Sequence, residues 1–413
     1  MSPALIAYPF LFVAIFFESF VLVTFLSKPA RDARRRAPAS GNYPKVAVIV
    51  PCYNEEATIG GTVESLLALD YPQDKLEVIL VDDGSTDATP ATMRQHREQP
   101  NVKIIRKENG GKYTALNAGI AATDAEIIGC LDADSFVDPS ALKEIVPCFD
   151  RAEVAATTAA MTIHEPHNLL EHMQNAEYTF GVTLRHALAA VNGLYVTPGP
   201  FSFYRRSVVQ ALGGFREGHK TEDMEMALRI QRAGFEIDNA PRARVYTKGP
   251  RTVRTLVKQR TRWTTGFMRN VLHEYRDLVG NPSFGALGLI VLPIAVLAIV
   301  SGLILFSLFL YTSVANLIVM ISVREGIPFG YAFTPSLPRF DWFYIPSSLY
   351  ILLGVLAAGA SLVMIAMGKR LSRSPQPLSV GLFAYTVLYG LVAPLWLLRA
   401  TADVALGKQR RWK

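Results

Sequence analysis

Apolar residues gather at the two ends of this 413-residue chain. Ala4–Leu26 is apolar except for Glu18, and Phe284–Val323, Ile345–Met367 and Leu378–Leu398 form three more apolar stretches in the last third. About 20 apolar residues cross the hydrocarbon core of a bilayer, and each run reaches that length. A chain patterned this way folds as a middle of ordinary globular composition set between membrane helices.

Lys28, Arg31, Arg34, Arg35 and Arg36 follow the first run at once. The positive-inside rule puts that end in the cytoplasm and the amino terminus outside. Nothing basic precedes the run, so it reads as a retained span rather than a cleaved leader. Phe284–Val323 is roughly 40 residues, about 60 Å as a helix, too long for one upright span and barely enough for two. With the middle domain inside, one crossing here places Gly326–Asp341 outside. The short basic loop Lys369–Arg373 belongs inside, and Lys408–Lys413 then falls outside, against the rule. A re-entrant Leu378–Leu398 is the alternative. The expected divisions are a span (1–27), a basic linker (28–44), a central domain (45–250), interfacial helices (251–283), about three spans (284–399) and a basic tail (400–413).

The formal charge of +7 comes largely from Lys and Arg beside the apolar runs, which suits lipid headgroups, and no nucleic-acid-binding signature is present. Cys52, Cys130 and Cys148 are an odd set within the central domain, which suggests reduced, buried thiols. His164, His167 and His172 do not make a zinc site, because Pro166 interrupts the first pair and no further ligands complete it.

In the middle, short β runs alternate with helical periodicity: strands at Lys45–Pro51, Glu77–Asp82, Val102–Arg106 and Glu126–Leu131, helices at Glu56–Leu69, Ala88–Gln99 and Tyr113–Ala122. This order predicts an α/β domain with a mostly parallel sheet covered on both faces. Ligands of such sheets bind beyond the carboxyl ends of the strands. Those ends carry Cys52-Tyr53-Asn54-Glu55, Asp82-Asp83-Gly84-Ser85 and Asp132-Ala133-Asp134. On an extended backbone, Asp132 and Asp134 share one face and suit a hard divalent cation; a polar turn after a strand is the plainer reading.

The ordered set Pro51-Cys-Tyr-Asn-Glu-Glu, Val81-Asp-Asp-Gly-Ser, Asn109-Gly-Gly-Lys112 with Ala115-Leu-Asn117, and Asp132-Ala-Asp134 resembles the donor half of a family 2 glycosyltransferase. Gly199-Pro-Phe-Ser-Phe-Tyr-Arg205, Thr221-Glu-Asp223 and Gln259-Arg-Thr-Arg-Trp263 resemble the acceptor half of its processive members, such as chitin, hyaluronan, cellulose and poly-N-acetylglucosamine synthases. The resemblance implies a GT-A-like, Rossmann-like domain and an inverting transfer from a UDP-sugar. N-acetylglucosamine is the expected sugar, and a growing β-linked polysaccharide the expected acceptor. A single transfer to a membrane lipid, as in glucosylceramide-type synthases, and a catalytically silent nucleotide-sugar sensor are the alternatives.

Such a transfer needs charge neutralised on a departing diphosphate and a proton removed from an acceptor hydroxyl. Asp134 is the expected ligand of Mg²⁺ or Mn²⁺. The resemblance places Asp132 nearer the ribose and diphosphate, Asp83 at the uracil edge, and Tyr53 and Glu55 beside the base. Lys112, after two glycines, reaches a phosphate, while Asn117 orders that loop. Asp223 is the expected general base, at the start of a strongly helical stretch. Gln259 and Arg262 are assigned to the donor, with Arg262 as a charge-assisted partner of the diphosphate. Trp263 offers a flat face to a sugar ring, and Gly199 and Phe201 line the acceptor site. His167–Val191 reads as a long amphipathic stretch near the membrane surface.

Overall fold

The computed structural model describes residues 3–27, 43–323 and 349–408. The basic residues 28–36, the linker to residue 42, the 326–341 loop and the tail beyond residue 408 lie outside the described residues, and so does the side those loops were expected to face.

A helix, α1 (Pro3–Ser27), precedes the central domain, which runs β1 (Val46–Cys52), α2 (Ile59–Leu67), β2 (Leu76–Asp82), α3 (Thr89–Arg94), β3 (Val102–Arg106), α4 (Lys112–Ala121), β4 (Ile127–Cys130), β5 (Ser135–Val137) and α5 (Ala141–Ile145). Then come β6 (Val154–Ile163), α6 (Leu169–Ala190), β7 (Ser202–Arg205), α7 (Arg206–Ala211), α8 (Glu222–Arg232), β8 (Glu236–Thr247) and α9 (Val253–Arg269). The eight strands make one sheet in the order β3-β2-β1-β4-β7-β6-β8-β5. β3, β2, β1 and β4 are mutually parallel, β7 is antiparallel to both its neighbours, and β8 is parallel to β6.

Period-two alternation decides which layer each side chain enters. Val46, Val48, Val50, Leu76, Val78 and Leu80 face the layer of α2 and α5, where Ile59, Val63, Leu66, Leu142 and Ile145 meet them. Ala47, Ile49, Ile79 and Val81 face α4, α7 and α8. Both sides are covered, so the strands read as continuous apolar runs. Gly129 is required where β4 pairs with β7: a Cβ there would come within 2.4 Å of the Phe203 ring.

Beyond the domain, Leu287–Val291 forms one wide turn that leads into α10 (Leu292–Val323). The whole of Leu287–Val323 is a 37-residue apolar helix, about 55 Å long at 1.5 Å per residue. The apolar run that sequence length left between one and two crossings is therefore one helix without a turn. Next come α11 (Leu349–Ser372), α12 (Ser379–Ala384) and α13 (Gly390–Ala405), the last two joined by a wide turn at Tyr385–Tyr389. Pro394 lies inside α13. It has no N–H to give the carbonyl one turn earlier, and helices relax beside such a site. By length and composition, four helices among the described residues can cross a membrane.

Most of His167–Val191, expected near the membrane surface, forms α6 (Leu169–Ala190). α6 is sandwiched between the sheet and the spans α1, α11 and α12, because its polar face finds partners inside the protein. Thr183 Oγ1 donates to the Met364 carbonyl at 2.6 Å. A Cβ on Gly368 would lie 2.0 Å from the Thr179 carbonyl oxygen, so only glycine lets α11 cross α6 this closely. Glu18, the lone acid of α1, accepts from Ser361 Oγ of α11 at 2.6 Å.

Candidate active site

β1, β2 and β4 end side by side, with Cys52 registered on Asp82 and Ile49 on Cys130. This brings the three polar clusters to one edge. Asp83 is buried there and accepts from the Gly110 and Gly111 backbone N–H groups at 3.1 and 2.8 Å while pairing with Lys107. It thus shapes the glycine turn before Lys112, in which Gly111 has φ +90°, a conformation glycine adopts without Cβ strain. Asp82 accepts from Ser85 N at 2.8 Å, and Asp87 from Thr89 N at 3.0 Å, so both order their own loop. The Tyr53 ring is half exposed at the rim. Glu55, behind it, accepts from Thr58 Oγ1 at 2.9 Å, and burial holds its carboxyl above the usual range.

Asp132 and Asp134 do not continue the strand as expected. The chain turns after β4, closed by Ser135 N donating to the Asp132 carbonyl at 3.0 Å. The turn separates their roles. Asp132 pairs with Lys112, whose ammonium also lies 3.2 Å from the buried Glu222. Among the described residues Asp134 forms no ion pair, and it accepts from Ser135 Oγ at 3.2 Å. Burial, then Asp132 and Glu55, push its carboxyl up to about 7. Lys112 moves the other way: its carboxylate neighbours, Asp132 first, outweigh the desolvation and hold the ammonium well above its ordinary value. Gly199 completes this junction. A Cβ there would stand 2.6 Å from Lys112 Nζ and 3.2 Å from both Asp132 carboxylate oxygens.

Asp223, in the first turn of α8, faces the same junction. Its Oδ2 accepts from Gly199 N at 3.2 Å and its Oδ1 from Met224 N at 2.8 Å. Burial and Glu222 raise it to about 6, against the lowering pull of Lys112 and Arg262. The turn before it is held by α9 and the residue that follows it: Arg262 donates to the Lys220 carbonyl at 3.2 Å, and Asn270 Nδ2 donates to the Gly218 carbonyl and to Thr221 Oγ1, both at 3.1 Å. Gly266 of α9 is so close that a Cβ would sit 2.5 Å from Thr221. Thr221 itself bonds back to Gly218 and does not cap the helix with its side chain.

Trp263 is partly buried against the sheet core, and the Arg260 guanidinium lies 4.3 Å from its ring centroid. Arg260 also pairs with Glu177 at 2.7 Å and lies 5.4 Å from the Tyr178 ring. Gln259 Oε1, on the same helix, is buried without a hydrogen-bond partner among the described residues. Phe201 departs from its expected place: its side chain is fully buried, edge-on to Phe203 at 4.7 Å, and carries no cleft surface. Its backbone, at φ +59°, turns the chain from Gly199 into β7. Asn117 bonds both ways with the Phe215 backbone, at 2.9 and 2.8 Å, and so orders a remote turn in place of its own loop.

The glycosyltransferase-like family 2 model matches residues 44–266, more than half the chain. The chain belongs to this family. A β-monoglucosyldiacylglycerol synthase of Synechocystis is 34% identical over 245 residues, covering 58% of this chain and 51% of its own. A poly-β-1,6-N-acetyl-D-glucosamine synthase of Staphylococcus epidermidis is 28% identical over 233 residues, 56% of each. The chain thus spans about half the length of these relatives. A mannosyltransferase of Pyrobaculum calidifontis, solved with GDP-mannose and Mn²⁺, shares the fold at a TM-score of 0.63 and 22% identity, over 96% of this chain and 98% of its own. The domain is therefore the Rossmann-like fold of this family, with apolar helices at both ends.

The residues of this family 2 enzyme fit a divalent cation at Asp134. No group of three or more His, Cys, Asp or Glu among the described residues forms a closed cage. Asp134 instead presents a carboxylate with no ion pair among the described residues, near Asp132 and Glu55, and Mg²⁺ takes one or two carboxylates and completes its shell with phosphates and water. Lys107 and Glu177 were missed in the sequence. No local pattern marks them, because their partners Asp83 and Arg260 are distant in the chain.

Proposed function

We propose that the protein transfers a hexose, with inversion, from a UDP-sugar to a hydroxyl of a membrane lipid. The observation that carries this reading is the junction at Gly199, where the cation-seeking Asp132–Asp134 turn meets Asp223 through Lys112 and Glu222. Asp223 is ionised at neutral pH yet basic enough to accept a proton, which suits a general base. It takes the acceptor proton as the hydroxyl attacks the anomeric carbon opposite the departing diphosphate. Lys112 and Arg262 lend positive charge on the leaving side. Mg²⁺ or Mn²⁺ at Asp134 supplies Lewis-acid stabilisation of that diphosphate when bound. Tyr53, Glu55 and Asp83 border the base, and Gln259 offers a buried acceptor with no partner among the described residues. The basic residues after α1 support a cytoplasmic domain with the amino terminus outside.

The lipid acceptor rests on an apolar cavity of about 670 Å³ between α10 and the Tyr389–Leu397 region, lined by Phe306, Phe309, Tyr389 and Trp396. Tyr389 also interacts with Arg260, the residue over Trp263, so the cavity adjoins the acceptor side. Polysaccharide extension is the second reading. Trp263 favours it, although Arg260 and the core already occupy part of that ring. Purified protein incubated with labelled UDP-N-acetylglucosamine or UDP-glucose, with and without Mn²⁺, should give a metal-dependent, solvent-extractable product. An inextractable polymer would establish the second reading; no transfer from any UDP-sugar would overturn both.

A further inference from the structure

Arg260 and Trp263 stand three residues apart on α9 and so share a helix face. The Arg260 guanidinium covers one face of the indole, 4.3 Å from its centroid. An acceptor ring can therefore stack only on the opposite face. Arg262, between the two, turns away to the Lys220 carbonyl beside Asp223. Arg260 is only 6% exposed, and its Nε has no hydrogen-bond partner among the described residues. Glu177 of α6 holds the guanidinium in place: its Oε2 accepts from Arg260 Nη2 at 2.7 Å.

Burial raises the Glu177 carboxyl above its usual range, and Arg260 pulls it back. Such a pair does little for a fold, because apolar residues of the same volume are often as stabilising. It does fix a direction. A flat guanidinium is attracted to the electron-rich face of an indole and holds the ring parallel to itself. Without Glu177, Arg260 would be a buried charge with no counter-ion, and it would leave the ring for water. Tyr389, which lines the apolar cavity, acts on the same guanidinium. The pair thus stands where α6, α9 and the membrane helices meet.

We propose that Glu177 is a positioning residue for the acceptor: through Arg260 it fixes the plane of the Trp263 ring and so sets how tightly the acceptor binds. This rests on the reading of Trp263 as an acceptor contact. It adds that the geometry of that contact is set from α6, the helix packed between the sheet and α1, α11 and α12. Donor binding and the chemical step lie outside its reach.

The test uses the full-length protein in detergent with Glu177→Gln, Glu177→Asp, and Glu177→Leu paired with Arg260→Met, which keeps the volume filled without the ions. Trp263 emission is read as the difference between each protein and the same protein carrying Trp263→Phe. Dioleoylglycerol and an N-acetylglucosamine tetrasaccharide serve as acceptors. Glu177→Gln and the paired variant should shift that emission and raise the acceptor KM about tenfold, the scale of one ring-stacking contact. Their kcat should stay within about twofold, as expected when only binding is lost, and UDP affinity should not change. Glu177→Asp, which keeps the charge, should recover most of both. The paired variant serves alone if Glu177→Gln does not fold. Wild-type emission and acceptor KM in the paired variant would show a merely structural pair and overturn the proposal, and so would weakened UDP binding. Emission that shifts while acceptor KM holds also overturns it, and Trp263→Phe then locates the failure. If Trp263→Phe leaves KM unchanged, the acceptor reading of Trp263 is wrong; if it raises KM, the link from Glu177 is. Should the wild type transfer nothing, the acceptor Kd read from Trp263 emission takes the place of KM.

Discussion

Asp134 reaches the cleft from a turn that closes on itself within four residues, at the end of a strand locked between two neighbours. Asp223 arrives on a turn whose shape is imposed from outside, by Arg262, Gly266 and Asn270 of the α9 region far downstream. The proposed donor edge is thus local and sheet-borne, and the proposed acceptor edge is a tertiary clasp. The difference teaches that one motif contains its own geometry while the other names a residue and leaves the geometry to a remote helix.

Removing the proposed base breaks the comparison most severely. Asp223→Asn should lower kcat by about a thousandfold, within the range of general-base catalysis, and leave UDP affinity unchanged in equilibrium titration. Near-normal turnover would sink the assignment. The same carboxylate shapes the wild-type pH profile. With a value of about 6, kcat should rise about tenfold per pH unit up to pH 6 and level off above it. Because this value is raised on folding, the proton stabilises the folded state. That contribution is complete below the unfolded value and vanishes as pH rises through 6.

Asp134→Asn strikes the donor edge alone. It should cost about a hundredfold in kcat/KM, from the loss of several kcal/mol of charge stabilisation. Half-maximal activation should move to higher Mn²⁺, and an unchanged metal titration would remove Asp134 from the metal site. Gly199→Ala tests the junction between the two edges. Its methyl group displaces Lys112 or Asp132, so the donor KM should rise about tenfold by order-of-magnitude reckoning for a lost ion pair. Unaltered kinetics would show that the pair is dispensable.

The smallest effect should come from Gly266→Ala, which presses on Thr221. It should cost about 1–3 kcal/mol in denaturant unfolding, as overpacking does, and lower kcat a few-fold with donor KM intact. A change in donor KM instead would show that α9 serves both edges alike.

The β-α alternation and the strand-end acids were legible before any coordinates, because a sheet buried on both faces writes its strands as short apolar runs. Helix limits were less so: the expected Ala88–Gln99 shrinks to Thr89–Arg94, since the packing that completes a helix is tertiary. Phe201 misled because a residue beside a site motif can point into the core. The split between Asp132 and Asp134 was invisible because it depends on Lys112, and Asn117 was read for the wrong turn for the same kind of reason.

By itself, then, the sequence determined an α/β transferase domain between membrane helices, and the residue types that meet at its cleft. Local hydrogen bonding and apolar periodicity act over a few residues and leave a visible pattern. Tertiary structure decided which acid stays without an ion pair among the described residues, and that α6 packs between the sheet and the candidate spans. Those outcomes depend on contacts across tens to hundreds of residues, where burial and charge pairing carry no local signature.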